Sequence, residues 1–326
     1  VGGAKHTARF LFGGFMGRGY KTECPQCGGD NLYVTPDNGM AYCFNCEYRS
    51  SPEQADRTQD ERGLPFQGSG EDLEAIRRVY TDAANYYHAC LTPQARAYAN
   101  DRGITDESIK KFKIGYCPEV QNYDRQLHDV YVRAGLITTS GKPTLAERLT
   151  FPYLDPTTSQ IVDIRGRSMD GADPKYKGPF GTTSSRGAGE WPFNAEDLKG
   201  DHLITEGEIK TIVASQLGFK SVGLPGIAVW RWRLRSMARG RQTVVFDSQL
   251  QANTRESVYT AIDKLSQKLP NLHIATLPLG KHNKMDLDTY LLTKGATEFK
   301  LILDKALPYN EWANLLRRPY VLRQGR

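Results

Sequence analysis

The chain has 326 residues, a formal charge of +6 and 25 % charged residues, with a mean hydropathy of −0.54. That balance describes water-soluble folding units and leaves room for two or three domains. No stretch of about 18 apolar residues is present to form a membrane span, and a mild basic excess is compatible with a nucleic-acid partner without establishing one.

The first 49 residues are rich in glycine and hold Cys24, Cys27, Cys43 and Cys46, two Cys-x-x-Cys pairs with 15 residues between them. This is the spacing of a zinc ribbon, in which each pair supplies two thiolates and the pairs together close a tetrahedron about one Zn²⁺. The segment between them alternates and turns at Asp37-Asn38-Gly39, as a hairpin does. Four thiolates leave no open coordination position, so the metal is expected to be structural. The module's role stays open: a small stabilised unit, or a template reader using Tyr42, Phe44, Tyr48 and Arg49 for stacking and phosphate contacts. Cys90 and Cys117 stand alone. Residues 50–72 carry almost no large apolar side chains and read as a polar tether, with a surface loop as the alternative.

Leu73, Ile76, Tyr80, Ala83 and Tyr87 recur at helical spacing. Thr92-Pro93 opens a second helix that Gly103 ends, and Thr105-Asp-Glu opens a third. Residues 149–167 read as a hairpin around the turn DPTTS. From His202 onward strands and helices alternate (HLITE, EIKTIVASQL, FKSVGL, TVVFD, SVYTAIDKLSQKL, LHIATLPL), which predicts a parallel sheet in an α/β domain. The last segment, 306–326, reads as a basic amphipathic tail that either docks on a partner or completes the fold.

In an open α/β sheet, reactive groups gather at the carboxyl ends of the strands. Glu206 ends the first predicted strand and Asp247 ends the TVVFD strand, while Asp286 and Asp288 follow the LHIATLPL strand. Carboxylates delivered to one rim do not ionise together without a cation. Magnesium or manganese would supply it and would support phosphoryl chemistry. The competing reading is that each acid caps the helix after it. Upstream, Arg165-Gly-Arg167 and Lys175-Tyr176-Lys177 would hold a triphosphate or a nucleic-acid strand, or form a solvated basic surface. Trp230-Arg-Trp232-Arg, with Arg235, Arg239 and Arg241, suits either base stacking or a two-faced element with its tryptophans buried.

The order of these parts resembles the DnaG-type primases, over roughly residues 20–305. The cysteine pairs resemble that family's zinc-binding domain. ARAYANDRGITDESIKKFKIGYCP is similar to the start of its polymerase core. ERLTFPYLDPTTSQIVDIRGRSMDGADPKYKGP is similar to its basic motif, with Arg148, Arg167, Lys175 and Tyr176 at matching positions. LITEGEIKTIVASQLGF, VVFDSQ and KMDLDTYL resemble the three motifs of a Toprim subdomain, an α/β parallel-sheet unit. The resemblance implies a zinc-binding domain at 1–49, a linker at 50–72, the N-terminal α+β part of an RNA polymerase core at 73–200, the Toprim subdomain at 201–305 and a tail at 306–326. It implies structural zinc and catalytic magnesium or manganese, with Glu206, Asp247, Asp286 and Asp288 as catalytic and metal-binding residues. Arg148, Arg165, Arg167, Lys175, Tyr176 and Lys177 would contact nucleotide or nucleic acid. The implied activity is synthesis of short RNA primers from ribonucleoside triphosphates on single-stranded DNA, beside a replicative helicase, in the cytoplasm of a bacterial or phage-infected cell.

Two positions depart from the family pattern. The second Toprim motif usually reads Asp-x-Asp, and here it is Asp247-Ser248-Gln249. An acidic residue usually follows the glutamate by four places, and here it is Lys210. A neutral amide and an ammonium both weaken divalent binding. They support the alternative of a non-polymerising protein that holds single-stranded DNA.

Overall fold

The computed structural model describes residues 20–22, 32–34, 41–43, 49–50, 70–179, 191–226, 239–249, 252–280 and 284–321. The chain divides into two units, Val1–Leu64 and Pro65–Arg326. The first holds a four-stranded antiparallel sheet, β1 (Tyr20–Thr22), β2 (Leu32–Val34), β3 (Ala41–Cys43) and β4 (Arg49–Ser50), in that order. Leu32 faces Cys43 and Val34 faces Ala41 across β2 and β3, as the hairpin reading required. The turn itself and Cys24, Cys27 and Cys46 lie outside the described residues, and Cys43 is described by its backbone at the end of β3.

The second unit opens with α1 (Gly70–Ala89), α2 (Pro93–Asp101) and α3 (Asp106–Lys111). Helix α1 begins inside the expected tether, so the tether reading fails for its last three residues; residues 51–69 lie outside the described set. The expected helical face is buried over its second half, at Tyr80, Ala83 and Tyr87, whereas Ile76 is partly buried and Leu73 is 37 % exposed. The polar tips of both tyrosines find partners, Tyr80 donating to the Ala134 carbonyl at 2.9 Å and Tyr87 to Gln121 at 2.6 Å. That is how a buried phenol avoids the cost of an unmet hydroxyl. Thr92 and Thr105 cap α2 and α3 by accepting from Ala95 and Ser108 backbone N–H groups.

Then come β5 (Gly115–Cys117), α4 (His128–Arg133), β6 (Arg148–Leu154), β7 (Ile161–Ser168) and β8 (Tyr176–Lys177). The four strands form an antiparallel sheet in sequence order. The predicted hairpin is β6–β7, paired from Arg148↔Ser168 to Leu154↔Ile161. Asp155 shapes its turn by accepting from Thr157 N at 2.8 Å, the local hydrogen bond that suits aspartate to turns. Helix α1 lies across β5 and β7.

The remaining elements are β9 (His202–Glu206), α5 (Glu208–Gln216), β10 (Ser221–Leu224), β11 (Gln242–Val244), β12 (Ser248–Gln249), α6 (Ala252–Ser266), β13 (Leu272–Ile274), β14 (Lys284–Met285), α7 (Leu287–Asp304), β15 (Leu307–Pro308) and α8 (Tyr309–Val321). The main sheet runs β10-β9-β11-β13-β15, and its first four strands are parallel as predicted. Strand β15 joins antiparallel to β13. Of the two readings of the segment from residue 306, completion of the fold is the one observed: its first residues extend the sheet, and Trp312 is 2 % exposed in the core. Helix α7 breaks at Gly295, whose φ of 76° places it in the left-handed region that glycine tolerates.

One continuous apolar core joins the two parts of this unit, from Ala95 in α2 through Phe151 and Ile204 to Trp312. A second cluster lies beneath α1. Strand β9 has β10 on one side and β11 on the other, and its helix α5 leads to β10. This reversal opens a crevice at the carboxyl ends of β9 and β11.

Candidate active site

The crevice holds a cavity of about 400 Å³. Glu206, Asp247, Asp286, Asp288, Arg167, Lys175 and Tyr176 line it, so residues spread over 122 positions of sequence meet on one surface. Arg148, Arg165 and Lys177 do not line it.

Glu206 is the last residue of β9 and is 37 % exposed at its side chain. Gly207 turns the chain into α5 with φ 81°, and its N–H donates to the Leu224 carbonyl at 2.6 Å. A side chain at Gly223 would put its first carbon 2.8 Å from the Gly207 carbonyl oxygen. Two glycines thus let β10 close on the turn that presents Glu206. One helical turn on, Lys210 reaches back: its Nζ lies 2.7 Å from Asp247 Oδ2 and 3.9 Å from Glu206 Oε2.

Asp247 lies three residues beyond β11. Its Oδ1 accepts from the Leu287 backbone N–H at 3.0 Å, so it caps α7 from a distant part of the chain. Asp286 occupies the N-cap position of α7 but makes no capping bond with its side chain. It pairs with Lys284 at 3.0 Å. Asp288, 3 % exposed, pairs with Arg102 at 2.6 Å, while its Oδ1 is buried without a hydrogen-bond partner.

Burial pushes the Asp247 carboxyl up to about 6, against the pull of Lys210 and the Leu287 N–H. For Asp286 burial acts upward too, but hydrogen bonds from Lys284 and with Asp247 outweigh it and hold it below the usual carboxylate range. Burial disfavours the Lys210 ammonium, but Asp247 and Glu206 more than restore it. Lys175 is lowered by burial and by the neighbouring cations Arg167, Arg102, Lys210 and Lys284.

On the opposite wall, Arg167 donates from Nε to the Tyr98 hydroxyl at 2.8 Å and from a terminal nitrogen to the Tyr176 hydroxyl at 2.7 Å. Its guanidinium also lies 5.0 Å from the Tyr176 ring. Two tyrosines therefore fix its plane, which favours bidentate contact with a phosphate. Arg165 behaves differently. It is 2 % exposed and donates to Glu208 at 2.9 Å, and Glu208 is fully buried and also accepts from Tyr153 at 2.6 Å. The expectation that Arg165 meets nucleic acid is corrected: it shares a strand face with Arg167 and lies over the same Tyr176 ring, but its guanidinium is buried on Glu208. Arg148 donates to the Pro174 carbonyl at 2.8 Å. The Trp230–Trp232 stretch lies outside the described residues.

Sequence reading missed Arg102 and Lys284. A lysine two residues before Asp286 was a usable local signal. Nothing in the sequence tied Arg102 to an aspartate 186 positions away.

Residues 86–182 match the family model described as DNA primase catalytic core, N-terminal domain. The chain is similar to curated DNA primases over most of its length. It is 25 % identical to the DNA primase of Rickettsia felis over 262 residues, covering 74 % of this chain and 43 % of that one. It is 24 % identical to the DNA primase of Halalkalibacterium halodurans over 332 residues, covering 87 % of this chain and 54 % of that one. The chain thus spans about half the length of these relatives. Its mixed α/β fold is that of solved primase cores. The DnaG primase catalytic domain bound to ssDNA matches with a TM-score of 0.59 at 19 % identity, over 74 % of this chain and 84 % of that one. The Aquifex aeolicus primase (zinc-binding and RNA polymerase domains) matches with a TM-score of 0.59 at 18 % identity, over 97 % and 85 %.

The acidic rim does not fit a pair of divalent ions. Asp247, Asp286 and Asp288 each already face a cation of the chain. Among the described residues no group of three or more histidine, cysteine or acidic side chains converges closely enough to hold a metal. The donor set fits one ion shared with a phosphate ligand, the usual manner of Mg²⁺ with one or two carboxylates.

Proposed function

We propose that this chain is the zinc-binding and polymerising portion of a DNA primase, making short RNA primers on single-stranded DNA. The observation that carries the reading is the single cavity where strand-end carboxylates of a parallel sheet face Arg167, Lys175 and Tyr176 of a second sheet. In this reading residues 201–305 are a Toprim subdomain. The four cysteines Cys24, Cys27, Cys43 and Cys46 hold one structural zinc, and the module helps select the start site.

The reaction joins the 3′-hydroxyl of the growing strand to the α-phosphorus of a ribonucleoside triphosphate and releases pyrophosphate. Bound magnesium or manganese, held beside Asp286 and the unmet Oδ1 of Asp288, would neutralise phosphate charge and favour ionisation of that hydroxyl. Glu206, half-exposed at the mouth of the crevice, positions the hydroxyl and accepts its proton. Arg167, with its plane set by Tyr98 and Tyr176, and Lys175, in a surplus of positive charge, bind the triphosphate. Asp288 is held by Arg102 and keeps the α7 terminus in place beneath Asp247. A replicative helicase is the proposed partner, and the cytoplasm the proposed site of action; no helix among the described residues is long and apolar enough to cross a membrane.

The test is synthesis of oligoribonucleotides on single-stranded DNA over a panel of template trinucleotides, with magnesium or manganese. Product is expected from the unaltered chain and none from Glu206→Gln, with unchanged thermal stability. A second reading, a single-stranded DNA-binding protein of weak or no polymerase activity, is favoured by the ammonium of Lys210 among the carboxylates. Tight binding of template with no product under any metal would establish it in place of the first.

A further inference from the structure

The acidic rim already contains a cation, and it belongs to the chain. Lys210 Nζ sits 2.7 Å from Asp247 Oδ2 and 3.9 Å from Glu206 Oε2, with its side chain 16 % exposed. Its stem rises from the first turn of α5, directly after the Gly207 turn that sets Glu206, so the position of its charge is fixed by the fold. An ammonium at this distance makes a charge-assisted hydrogen bond to the same carboxylate lone pair that a divalent ion would use. An ion seated between Glu206 and Asp247 at about 2.0–2.1 Å from each oxygen would have to expel it. The sequence agrees in direction, since Gln249 is neutral beside Asp247 in the same strand-end motif.

The other end of the rim is different. Asp288 is 3 % exposed and lines the cavity, and its Oδ1 is buried without a hydrogen-bond partner. A buried carboxylate oxygen left unmet carries a desolvation cost that a ligand would relieve. Cations of the chain reach this side as well, Lys284 at Asp286 and Arg102 at Asp288 Oδ2; the difference is that Asp247 has both oxygens engaged, by Lys210 and the Leu287 N–H, whereas Asp288 keeps Oδ1 unmet.

We propose that the Lys210 ammonium takes the place of one divalent ion at this rim, so that the cavity admits a single divalent ion, on the Asp286–Asp288 side, in company with substrate phosphates. This rests on the nucleotidyl-transfer reading above and specifies its cation requirement. The ammonium is a fixed charge that neither exchanges nor needs to be recruited, at the cost of the Lewis acidity a metal would bring.

The experiment counts ions directly. The full chain, with its zinc in place, is titrated with Mn²⁺ alone, and bound manganese is followed by electron paramagnetic resonance. The unaltered chain is expected to take up no more than one Mn²⁺, and Lys210→Asp one more than the unaltered chain. Lys210→Met, which removes the charge without adding a ligand, is expected to bind Mn²⁺ roughly tenfold more tightly, as loss of a unit charge a few ångströms from the ion predicts. This second variant also carries the test if the aspartate variant does not fold. Two manganese ions in the unaltered chain, or the same count and affinity in the Lys210 variants, would overturn the proposal. Primer synthesis by the unaltered chain is scored separately: its absence sinks the primase reading, whereas the ion count sinks the role given to Lys210.

Discussion

The pair Arg165–Glu208 allows the sharpest test of how this site is held. Glu208 is fully buried and accepts from both Tyr153 and Arg165, at 2.6 and 2.9 Å. Glu208→Gln keeps the shape and one acceptor oxygen but leaves a buried guanidinium without its anion. Removing one member of a buried pair costs about 3–5 kcal/mol. The Tyr176 ring, 5.0 Å from the Arg165 guanidinium, offsets part of this, which argues for the lower end of that range. A loss of about 3 kcal/mol in a unit of this size lowers Tm by roughly 6–12 °C. The double variant Arg165→Met with Glu208→Gln removes the stranded charge and leaves Tyr153 its acceptor, so it should regain most of that loss. Thermal denaturation followed by circular dichroism measures both, and fluorescence anisotropy measures binding to single-stranded DNA. If Arg165 is interior scaffolding, the double variant binds DNA within about twofold of the unaltered chain when assayed well below its Tm, less than the tenfold that 1.4 kcal/mol would bring. A single variant that loses no stability, or a double variant no more stable than the single one, would refute the reasoning.

Three further outcomes are expected. Asp247 is raised to about 6, so its charged form is populated above that value; primer synthesis should fall as pH drops through about 6, read from a pH–rate profile, and a flat profile there would remove Asp247 from the chemistry. The stability sign is opposite: the folded state binds this proton more tightly than the unfolded one, so the contribution is present at acid pH and lost as pH rises through about 6. Trp312→Ala should cost about 3–5 kcal/mol, because Trp312 is buried against Tyr259 with ring centres 5.1 Å apart; a Tm shift under about 3 °C would show that the C-terminal segment is not part of the core. Gly223→Ala brings a carbon against the Gly207 carbonyl and should lower kcat more than it raises KM, with a stability loss of about 1–3 kcal/mol; unchanged kcat would mean that the turn has slack.

The sequence by itself determined what depends on near neighbours. Thr92, Thr105 and Gly103 marked helix ends because capping is decided within three or four residues. The β6–β7 hairpin was legible from its alternation and the Asp155 turn, and the parallel sheet from strands and helices in alternation. The four rim acids were legible too, because parallel strands deliver their carboxyl ends to one side whatever the loops contain. Tertiary structure decided which charges those acids meet. Lys210 reads in sequence as a residue one helical turn past Glu206, and only the β9–β11 pairing brings Asp247 within 2.7 Å of it. Arg102 reaches Asp288 across 186 positions. Arg165 and Arg167 share one motif and one strand face, yet the partners that folding supplies differ: buried Glu208 holds the first, and the hydroxyls of Tyr98 and Tyr176 hold the second. The last residues joined the sheet because β13 presented an open edge. Periodicity and capping are local in the chain, whereas charge pairing depends on distance in space, and that distance exists only once the chain has folded.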